Sequence, residues 1–361
     1  MIEDEPDNVD FGDGVKDFDD ILVLIGEFGK FQKLVFLLLS IASILPAMDY
    51  AAVVFIEETP DFRCRLPGDL NDSYSPGMAL YLNTSDHVTS NATAQCTQLD
   101  VVINHQGNVS QDGTHPSKCT EWVFDTSVVK HSYPMQFKLV CDNSWMLTFS
   151  YIMYVSGTLI GGLAFGLLSD WAGRRFSLLL ALGLSGFFGL GWVFSPTYPC
   201  SIAIRFMYGM FTSEIFTLST TLALELVGPH KRMIAGTAVG IVSTAGGVVV
   251  TGIAYFLRDW RHLQLSISAP YLVFAATLFW LLPESPRWLL TKGRHEEAEK
   301  ILRRAAKMNG KEFPKGLLTK VEINELPSTS IRALLHAPKL MFRMLLLYIN
   351  CLHGNANKSK N

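Results

Sequence analysis

Three ionisable residues interrupt apolar stretches of this chain, where a charge is costly to bury. Asp49 stands beside Tyr50 in the first apolar stretch, and Arg205 and Glu214 occur together in a later one. A carboxylate in such a place could receive an amine, and aromatic rings could hold a protonated or quaternary cation against their faces. We therefore treat these residues as candidates for ligand contact.

Asp49 is the first candidate for contact with a cationic group. Glu214 could contact substrate, pair with a neighbouring helix or exchange protons, and a structural pairing role is favoured for Arg205. Aromatic residues could form walls of the same site, although such residues more often serve packing: Tyr50, Tyr151, Tyr154, Tyr208 and Phe211. These stretches lack a dense basic pocket, which favours organic cations or zwitterions, such as carnitine-like molecules or amines, over the alternative of an organic anion.

The composition indicates a membrane protein. Charged residues make up 17% of the 361 residues, against about a quarter in soluble proteins, and they cluster so that long stretches are free of charge. The acidic start MIEDEPDNVDFGDG is unlike a signal peptide. We find no basic domain suited to nucleic acid, no nucleophile, metal or phosphate-loop motif and no sign of a cofactor, so an enzyme is not expected.

Six membrane spans of about 20 residues or more are predicted, each long enough to cross a bilayer as a helix. A cytoplasmic segment, 1–33, precedes them, and the long polar segment 57–143 separates the first two. The segment 283–340 is predicted to be a cytoplasmic helical linker, and 341–361 a seventh span that is cut short, followed by a polar tail. The six spans are 34–56, 146–168, 176–195, 200–222, 233–257 and 262–282.

Basic residues mark one side of the predicted spans as cytoplasmic. Arg258 and Arg261, on the other side, are a mild exception. The N-terminus is expected in the cytoplasm and the protein in the plasma membrane. The basic residues of the cytoplasmic side are Lys30, Lys33, Arg174, Arg175, Lys231, Arg232, Arg287, Lys292, Arg294, Arg303 and Arg304.

The segment 57–143 carries two signs of an extracellular environment. It contains four cysteines, which suggest two disulfides with three possible pairings. It also contains four N-glycosylation sequons. The cysteines are Cys64, Cys96, Cys119 and Cys141, and the sequon asparagines are Asn71, Asn83, Asn91 and Asn108.

The stretch GLLSDWAGRR, residues 166–175, forms a short turn between the second and third predicted spans. Gly166 and Gly173 would permit close packing and a tight reversal. Asp170 could cap the next helix or face another helix end, and Arg174 and Arg175 would anchor the cytoplasmic side.

Glycines at small-xxx-small spacing predict close contacts between spans. They could serve either a moving interface or static packing. They occur in the second span at Gly157, Gly161, Gly162 and Gly166 and in the fifth at Gly236 and Gly240.

The turn 166–175 resembles the signature loop of the major facilitator superfamily. PESPRWLL (283–290), TPDFRCRLPG (59–68), the long outer segment, RFMYG (205–209) and ELVGPHKR (225–232) resemble the organic cation, organic anion and carnitine transporters, solute carrier family 22. The resemblance covers nearly the whole chain and implies an all-α membrane protein with the N-terminal six-helix half of that fold, a large extracellular loop after the first span and cytoplasmic helices after the sixth.

The resemblance also implies roles. Asp170 would hold an inner gate shut together with a charge cluster of Arg174, Glu225, Arg232, Glu284 and Arg287. Trp171 departs from the family pattern, which usually has a residue such as Arg after the acid. Members have twelve spans and transport by alternating access, so this chain would act with a second half, as a dimer, or as a non-transporting form that modulates a full-length transporter.

Overall fold

The computed structural model describes residues 18–65, 74, 96–103, 109–313 and 318. Their chain order is helix, strand, then helix again, and the long helices fall where the spans were predicted. The helices are α1 Phe18–Leu24, α2 Lys30–Ala42, α3 Ile44–Ile56, α4 Tyr133–Phe137, α5 Ser144–Ala172, α6 Arg174–Val193, α7 Tyr198–Leu226, α8 Arg232–Phe256, α9 Trp260–Leu281, α10 Pro286–Thr291 and α11 His295–Asn309. The strands are β1 Phe62–Cys64, β2 Thr97–Ile103, β3 Val109–Lys118 and β4 Trp122–Phe124.

Within the described ranges, five helical segments are long and apolar enough to cross a membrane. They are Lys30–Ile56, Cys141–Ala172, Arg174–Val193, Pro229–Phe256 and Trp260–Leu281. The 29-residue α7 is also long enough, but it carries the polar residues Arg205, Glu214 and Glu225 and is less apolar. It packs against α5 and α6, so the fourth predicted span, 200–222, is a helix of the bundle interior.

The first predicted span, 34–56, differs from the structure in two ways. Its helix begins earlier, at Lys30, and it is divided into α2 and α3 at Ser43. Pro46, in the first turn of α3, has no N–H to donate to the carbonyl four residues before it, which interrupts the helical hydrogen bonding. At the same place the Ser43 hydroxyl donates to the Ser40 carbonyl at 2.7 Å.

Helices α5 and α7 approach each other backbone to backbone, as the glycine spacing predicted. A Cβ on Gly157 would lie 2.2 Å from the Phe206 carbonyl oxygen, and one on Gly161 would lie 2.1 Å from that of Met210. From the other side, a Cβ on Gly209 would lie 2.4 Å from the Tyr154 carbonyl oxygen. A methyl group at any of the three would push the two helices apart.

The same spacing is misleading at its other positions. A Cβ would meet no atom within 4 Å at Gly166 or Gly240, and only ordinary contact at Gly162 and Gly236. In α8 the close approach occurs instead at Gly246, where a Cβ would lie 2.6 Å from the Ile44 carbonyl oxygen. The prediction of close packing was therefore wrong at these four glycines, because the neighbouring helix contacts a different face.

The long outer segment forms two small antiparallel sheets, β1 with β4 and β2 with β3. Two disulfides are present, which confirms their prediction, and the structure selects the pairs Cys64–Cys119 and Cys96–Cys141 among the three open pairings. The predicted glycosylation sites Asn71, Asn83, Asn91 and Asn108 lie outside the described residues.

The end of this outer segment is built into the helical bundle. Tyr133, at the start of α4, is fully buried. Its hydroxyl lies 2.9 Å from the Ser201 hydroxyl, and its ring contacts the rings of Trp192 and Trp260. We call this end of the bundle the loop end and the opposite end, which carries the turn at Gly173, the turn end.

At the turn end, α1, α10 and α11 lie against the long helices. The amphipathic α11 buries one face, which includes Ala298, Leu302 and Ala305. Its last residue, Asn309, accepts a hydrogen bond from the Phe31 backbone N–H at 3.0 Å and donates to the Ile25 carbonyl at 2.9 Å. The helices predicted after the sixth span are thus observed as far as residue 309, and the cut-short span predicted at 341–361 lies outside the described residues.

Candidate substrate-binding site and charged turn

Asp49 joins three helices of the bundle. It lies on α3 and is 5% exposed. Its two carboxylate oxygens each accept a hydrogen bond from a tyrosine hydroxyl, Tyr208 of α7 and Tyr271 of α9. Gln264 of α9 donates to the Tyr208 hydroxyl at 3.3 Å and to the Ser268 hydroxyl at 2.9 Å. The acid is thus held by neutral donors in the bundle interior.

A small cavity borders Asp49 on the side of the loop end. Its volume, about 10 Å³, corresponds to about one water molecule. The cavity contains an acid and a base, since both Asp49 and Arg205 line it. The other lining residues are Val53, Ile56, Tyr154, Trp192, Tyr208 and Gln264.

Arg205 has a partner for its charge, in agreement with the structural pairing role predicted for it. It is 2% exposed and forms an ion pair with Glu57, the residue that follows α3. It also donates to the Ser150 hydroxyl at 3.0 Å, and its guanidinium carbon lies 4.8 Å from the centre of the Trp192 ring. Burial raises the pKa of Glu57, and the charge of Arg205 opposes that effect.

We call Asp49, Glu57 and Arg205 the interior charge set. They lie on α3, just after α3, and on α7. Burying a charge without a partner is strongly unfavourable, and here each member has one or more polar partners. Asp49 and Arg205 line the cavity, and Glu57 pairs with Arg205 behind it. A ligand that entered the cavity would therefore meet charges of both signs.

Glu214 and Phe211 are placed elsewhere on α7. The Glu214 carboxylate accepts a hydrogen bond from the Ser213 hydroxyl at 3.0 Å, and it forms no ion pair with any described residue. Phe211 stacks on Phe188 with ring centres 5.5 Å apart and contacts Phe165. Neither Glu214 nor Phe211 lines the cavity at Asp49.

Of the four predicted tyrosines, two line the cavity and two do not. Tyr154 and Tyr208 line the cavity. Tyr50 is 69% exposed and Tyr151 lies beside it, away from the cavity lining. Of the predicted binding residues, the structure therefore brings Asp49, Tyr154 and Tyr208 together.

Besides the aliphatic lining, four residues of the site were not identified from the sequence. They are Glu57, Trp192, Gln264 and Tyr271. Gln264 gave the clearest available signal, as a polar residue within a predicted span. Tyr271 resembles any aromatic residue of a span until the helices are assembled.

The turn at Gly173 depends on glycine. Its backbone angle φ is +108°, which side-chain-bearing residues rarely adopt. A Cβ at this position would also lie 2.5 Å from the Glu284 carboxylate. The predicted tight reversal is confirmed.

Glu284 caps helix α6, in place of the capping considered for Asp170. One Glu284 carboxylate oxygen accepts hydrogen bonds from the backbone N–H groups of Arg174 and Arg175, both at 3.0 Å. Asp170 is exposed, with 66% of its side chain accessible, and it pairs with Arg174 at 2.7 Å. Its backbone carbonyl accepts a hydrogen bond from the Trp288 indole at 3.0 Å.

Arg174 connects the residues around this turn. It contacts Glu225 of α7 at 3.3 Å as well as Asp170. We call Asp170, Arg174, Glu225 and Glu284 the turn charge set. Arg175 lies beside it, over the Phe279 ring, and donates to the Phe279 carbonyl at 2.5 Å.

Two members of the predicted charge cluster are not in this set. Arg232 pairs with Asp19 of α1 at 2.5 Å and donates to backbone carbonyls at the end of α7. Arg287 makes no ion pair within the described part of the chain. The nearby pair of His230 and Glu27, 2.8 Å apart, further ties the N-terminal segment to the turn between α7 and α8.

Residues 78–356 match the model of the family "Sugar (and other) transporter". The chain is 32% identical to the organic cation transporter protein of Drosophila melanogaster, over 92% of this chain and 62% of that one. It is also 32% identical to the mouse organic cation/carnitine transporter 2, over 87% of this chain and 58% of that one, and 32% identical to mouse solute carrier family 22 member 2, over 92% and 63%.

A solved structure shares the fold. The partially occluded inward-open form of the xylose transporter XylE from E. coli matches with a TM-score of 0.50 and 19% identity. The match covers 78% of this chain and 55% of XylE. At this identity the likeness concerns the fold alone.

The chain is thus a multi-pass membrane protein with the N-terminal six-helix half of a major facilitator superfamily fold. It belongs to the sugar (and other) transporter family. The resemblance to solute carrier family 22 is confirmed. The chain spans about three-fifths of the length of the curated relatives that it matches.

Proposed function

We propose that this protein takes part in the transport of an organic cation or zwitterion, and that Asp49 contacts the cationic group. The observation that carries the proposal is the buried Asp49 carboxylate, which Tyr208 and Tyr271 hold at the wall of a cavity inside the bundle. Ionisable groups inside membrane spans generally mark substrate or ion pathways. The names of the relatives, organic cation and organic cation/carnitine transporters, agree with this class of substrate.

The charge balance of the cavity favours a cation over an anion. Arg205 already has the carboxylate of Glu57 as a partner. Asp49 is met by hydroxyl groups, and no described residue forms an ion pair with it. A cation that approached Asp49 would therefore meet a negative charge that no basic residue of the described part neutralises.

The loop end is proposed to face the outside of the plasma membrane. Both disulfides lie there, and disulfides form in oxidising compartments. The turn end carries Arg174, Arg175 and Arg232, in agreement with the positive-inside rule. This orientation places the N-terminus in the cytoplasm and the turn charge set at an inner gate.

The transport cycle is proposed to be alternating access, in which the six-helix bundle moves against a second bundle around a central site. The second bundle would come from further sequence or from another transporter chain, and the lipid bilayer surrounds both. In that cycle Asp49 would lie between the inner gate and the outer gate of the transporter.

Uptake in cells tests the proposal. Labelled cations, zwitterions and anions are supplied to cells that express this chain, either alone or continued by the remaining part of an organic cation transporter relative. We expect saturable cation or zwitterion uptake by the continued chain, and a loss of at least about tenfold on Asp49→Asn, since a hydrogen-bonded charge contributes on the order of 1.5–3 kcal/mol.

The matched control is Glu121→Gln, which removes an exposed acid that pairs with Arg65 at the loop end. Its uptake should be unchanged. Uptake by the short chain alone would indicate that a second copy supplies the other bundle. The proposal would be overturned if neither form took up cations or zwitterions while both reached the cell surface in normal amounts. Anion uptake that Asp49→Asn leaves unchanged would also overturn it.

A further inference from the structure

A second cavity lies at the loop end, apart from the cavity at Asp49. Its volume is about 290 Å³. The end of α3, the segment 128–131, the end of α8 and the start of α9 surround it. Its apolar lining includes Phe55, Tyr255 and Leu263, and its polar lining includes Glu58, His131 and Arg258.

Main-chain hydrogen bonds fix the walls of this cavity. The Lys130 N–H donates to the Arg258 carbonyl at 3.0 Å, and the Trp260 N–H donates to the His131 carbonyl at 3.1 Å. The Arg258 guanidinium donates to the Ser127 carbonyl at 3.3 Å. The segment 127–131 is therefore held across the connection between α8 and α9, and the space beneath it is a built feature of the fold.

Two side chains of opposite charge line this cavity. Glu58 and Arg258 are both exposed, and neither forms an ion pair with any residue in the described ranges. The remaining lining is mainly apolar. The cavity thus offers a carboxylate, a guanidinium, an imidazole and an apolar wall to a ligand.

The position of the cavity at the ends of three spans favours a ligand from the lipid bilayer. Helix α3 ends at Ile56, α8 ends at Phe256 and α9 begins at Trp260, so three segments that run through the membrane end here. The ends of spans lie at the level of the lipid headgroups, where Tyr and Trp side chains are common. Tyr255 and Phe256, at the end of α8, are strongly exposed.

We propose that this cavity binds the headgroup of a zwitterionic phospholipid. Arg258 would contact the phosphate, Glu58 the amine or quaternary ammonium group, and the apolar lining the first carbons of the acyl chains. A free amine would leave the Arg258 charge unmet, and a free anion would leave that of Glu58 unmet. Only a ligand with both charges and an apolar part uses the whole lining. The site does not depend on the proposed transport activity.

Photo-crosslinking in lipid nanodiscs tests this site. The whole chain is inserted in nanodiscs that contain a phosphatidylcholine with a diazirine near the headgroup, and labelled peptides are quantified by mass spectrometry. We expect enriched labelling of the peptides that contain Phe55–Glu58, Val128–His131 and Thr251–Leu263, relative to lipid-exposed positions of α5 such as Leu159 and Leu163.

Charge variants give the specific readout. Glu58→Gln and Arg258→Gln should each lower the enrichment by up to about fivefold, since an exposed ion pair contributes up to about 1 kcal/mol. Arg261→Gln, which changes an exposed arginine that contacts Gln136 instead, is the matched control and should keep the enrichment. With an anionic phosphatidylglycerol probe, only Arg258→Gln should lower labelling.

Competition separates the lipid from its soluble headgroup. Glycerophosphocholine in solution should displace the probe weakly, because it lacks the acyl carbons. Equal labelling of all variants, no enrichment over α5, or displacement by a simple amine with sensitivity to Glu58→Gln alone would overturn the proposal. These outcomes leave the uptake experiment with Asp49→Asn unaffected.

Discussion

The interior charge set and the turn charge set use the same residue types, but their aspartates differ sharply in burial. Asp49 and Arg205 are almost completely buried, whereas the Asp170 side chain is mostly exposed. A buried charge must find a partner within the fold, while an exposed one is stabilised by water. An acid's place in a sequence motif therefore does not indicate how deeply it is buried, because the packing of the helices decides this.

Removing the Arg205 charge should cause the largest loss of stability. Arg205→Leu leaves Glu57 buried without its partner, and breaking a buried pair in this way costs about 3–5 kcal/mol. Unfolding in detergent, followed by heat or denaturant, measures the loss. The double variant Glu57→Gln with Arg205→Leu should recover part of it, because no uncompensated charge remains. A single variant as stable as the wild type would remove the contrast between the two charge sets.

Two glycines of the turn motif should respond differently to the same substitution. Gly173→Ala forces an alanine to a φ of +108° and places its methyl group against Glu284, so we expect a loss of about 1–3 kcal/mol. Gly166→Ala adds a methyl group where no atom lies within 4 Å and should be neutral or slightly stabilising. Melting temperatures of the two variants check this, and equal losses would contradict the geometry of the turn.

Within the turn charge set, Glu284 should matter more than Asp170. Glu284→Gln weakens the charged cap of α6 and should cost about 1 kcal/mol or less. Asp170→Asn removes one pair to Arg174 at an exposed position and should cost less than about 0.5 kcal/mol. The same melting experiment, at low and high salt, compares them. A larger effect of Asp170→Asn on stability would show that the acid of the motif, rather than the later glutamate, organises the turn.

Local sequence patterns predicted much of the architecture because they act over short distances. Long apolar stretches between charged turns must become helices in a membrane, since every backbone group there needs a hydrogen bond. Glycine spacing located the α5–α7 contact at Gly157 and Gly161 but misplaced the contact of α8. The spacing shows that a helix can be approached closely, whereas the neighbouring helix decides which glycine is used.

The candidate site was less predictable from the sequence. Asp49 stood out because an acid within an apolar stretch is unusual. Its partner Tyr271 lies 222 positions away and has no local feature that distinguishes it. Glu57 looked like the first polar residue beyond a span, and its pairing with Arg205 appears only when α3 and α7 are side by side.

By itself, the sequence determined the membrane class, the family resemblance, the six helical segments, the presence of two disulfides and the candidate acid at position 49. These follow from hydrophobicity, charge and motifs, which a chain carries before it folds. The tertiary structure decided the pairing of the cysteines, the capping of α6 by Glu284, and the hydroxyl groups that hold Asp49. Each of these joins residues far apart in the chain, and only the packing of the helices and of the outer segment brings such residues within bonding distance.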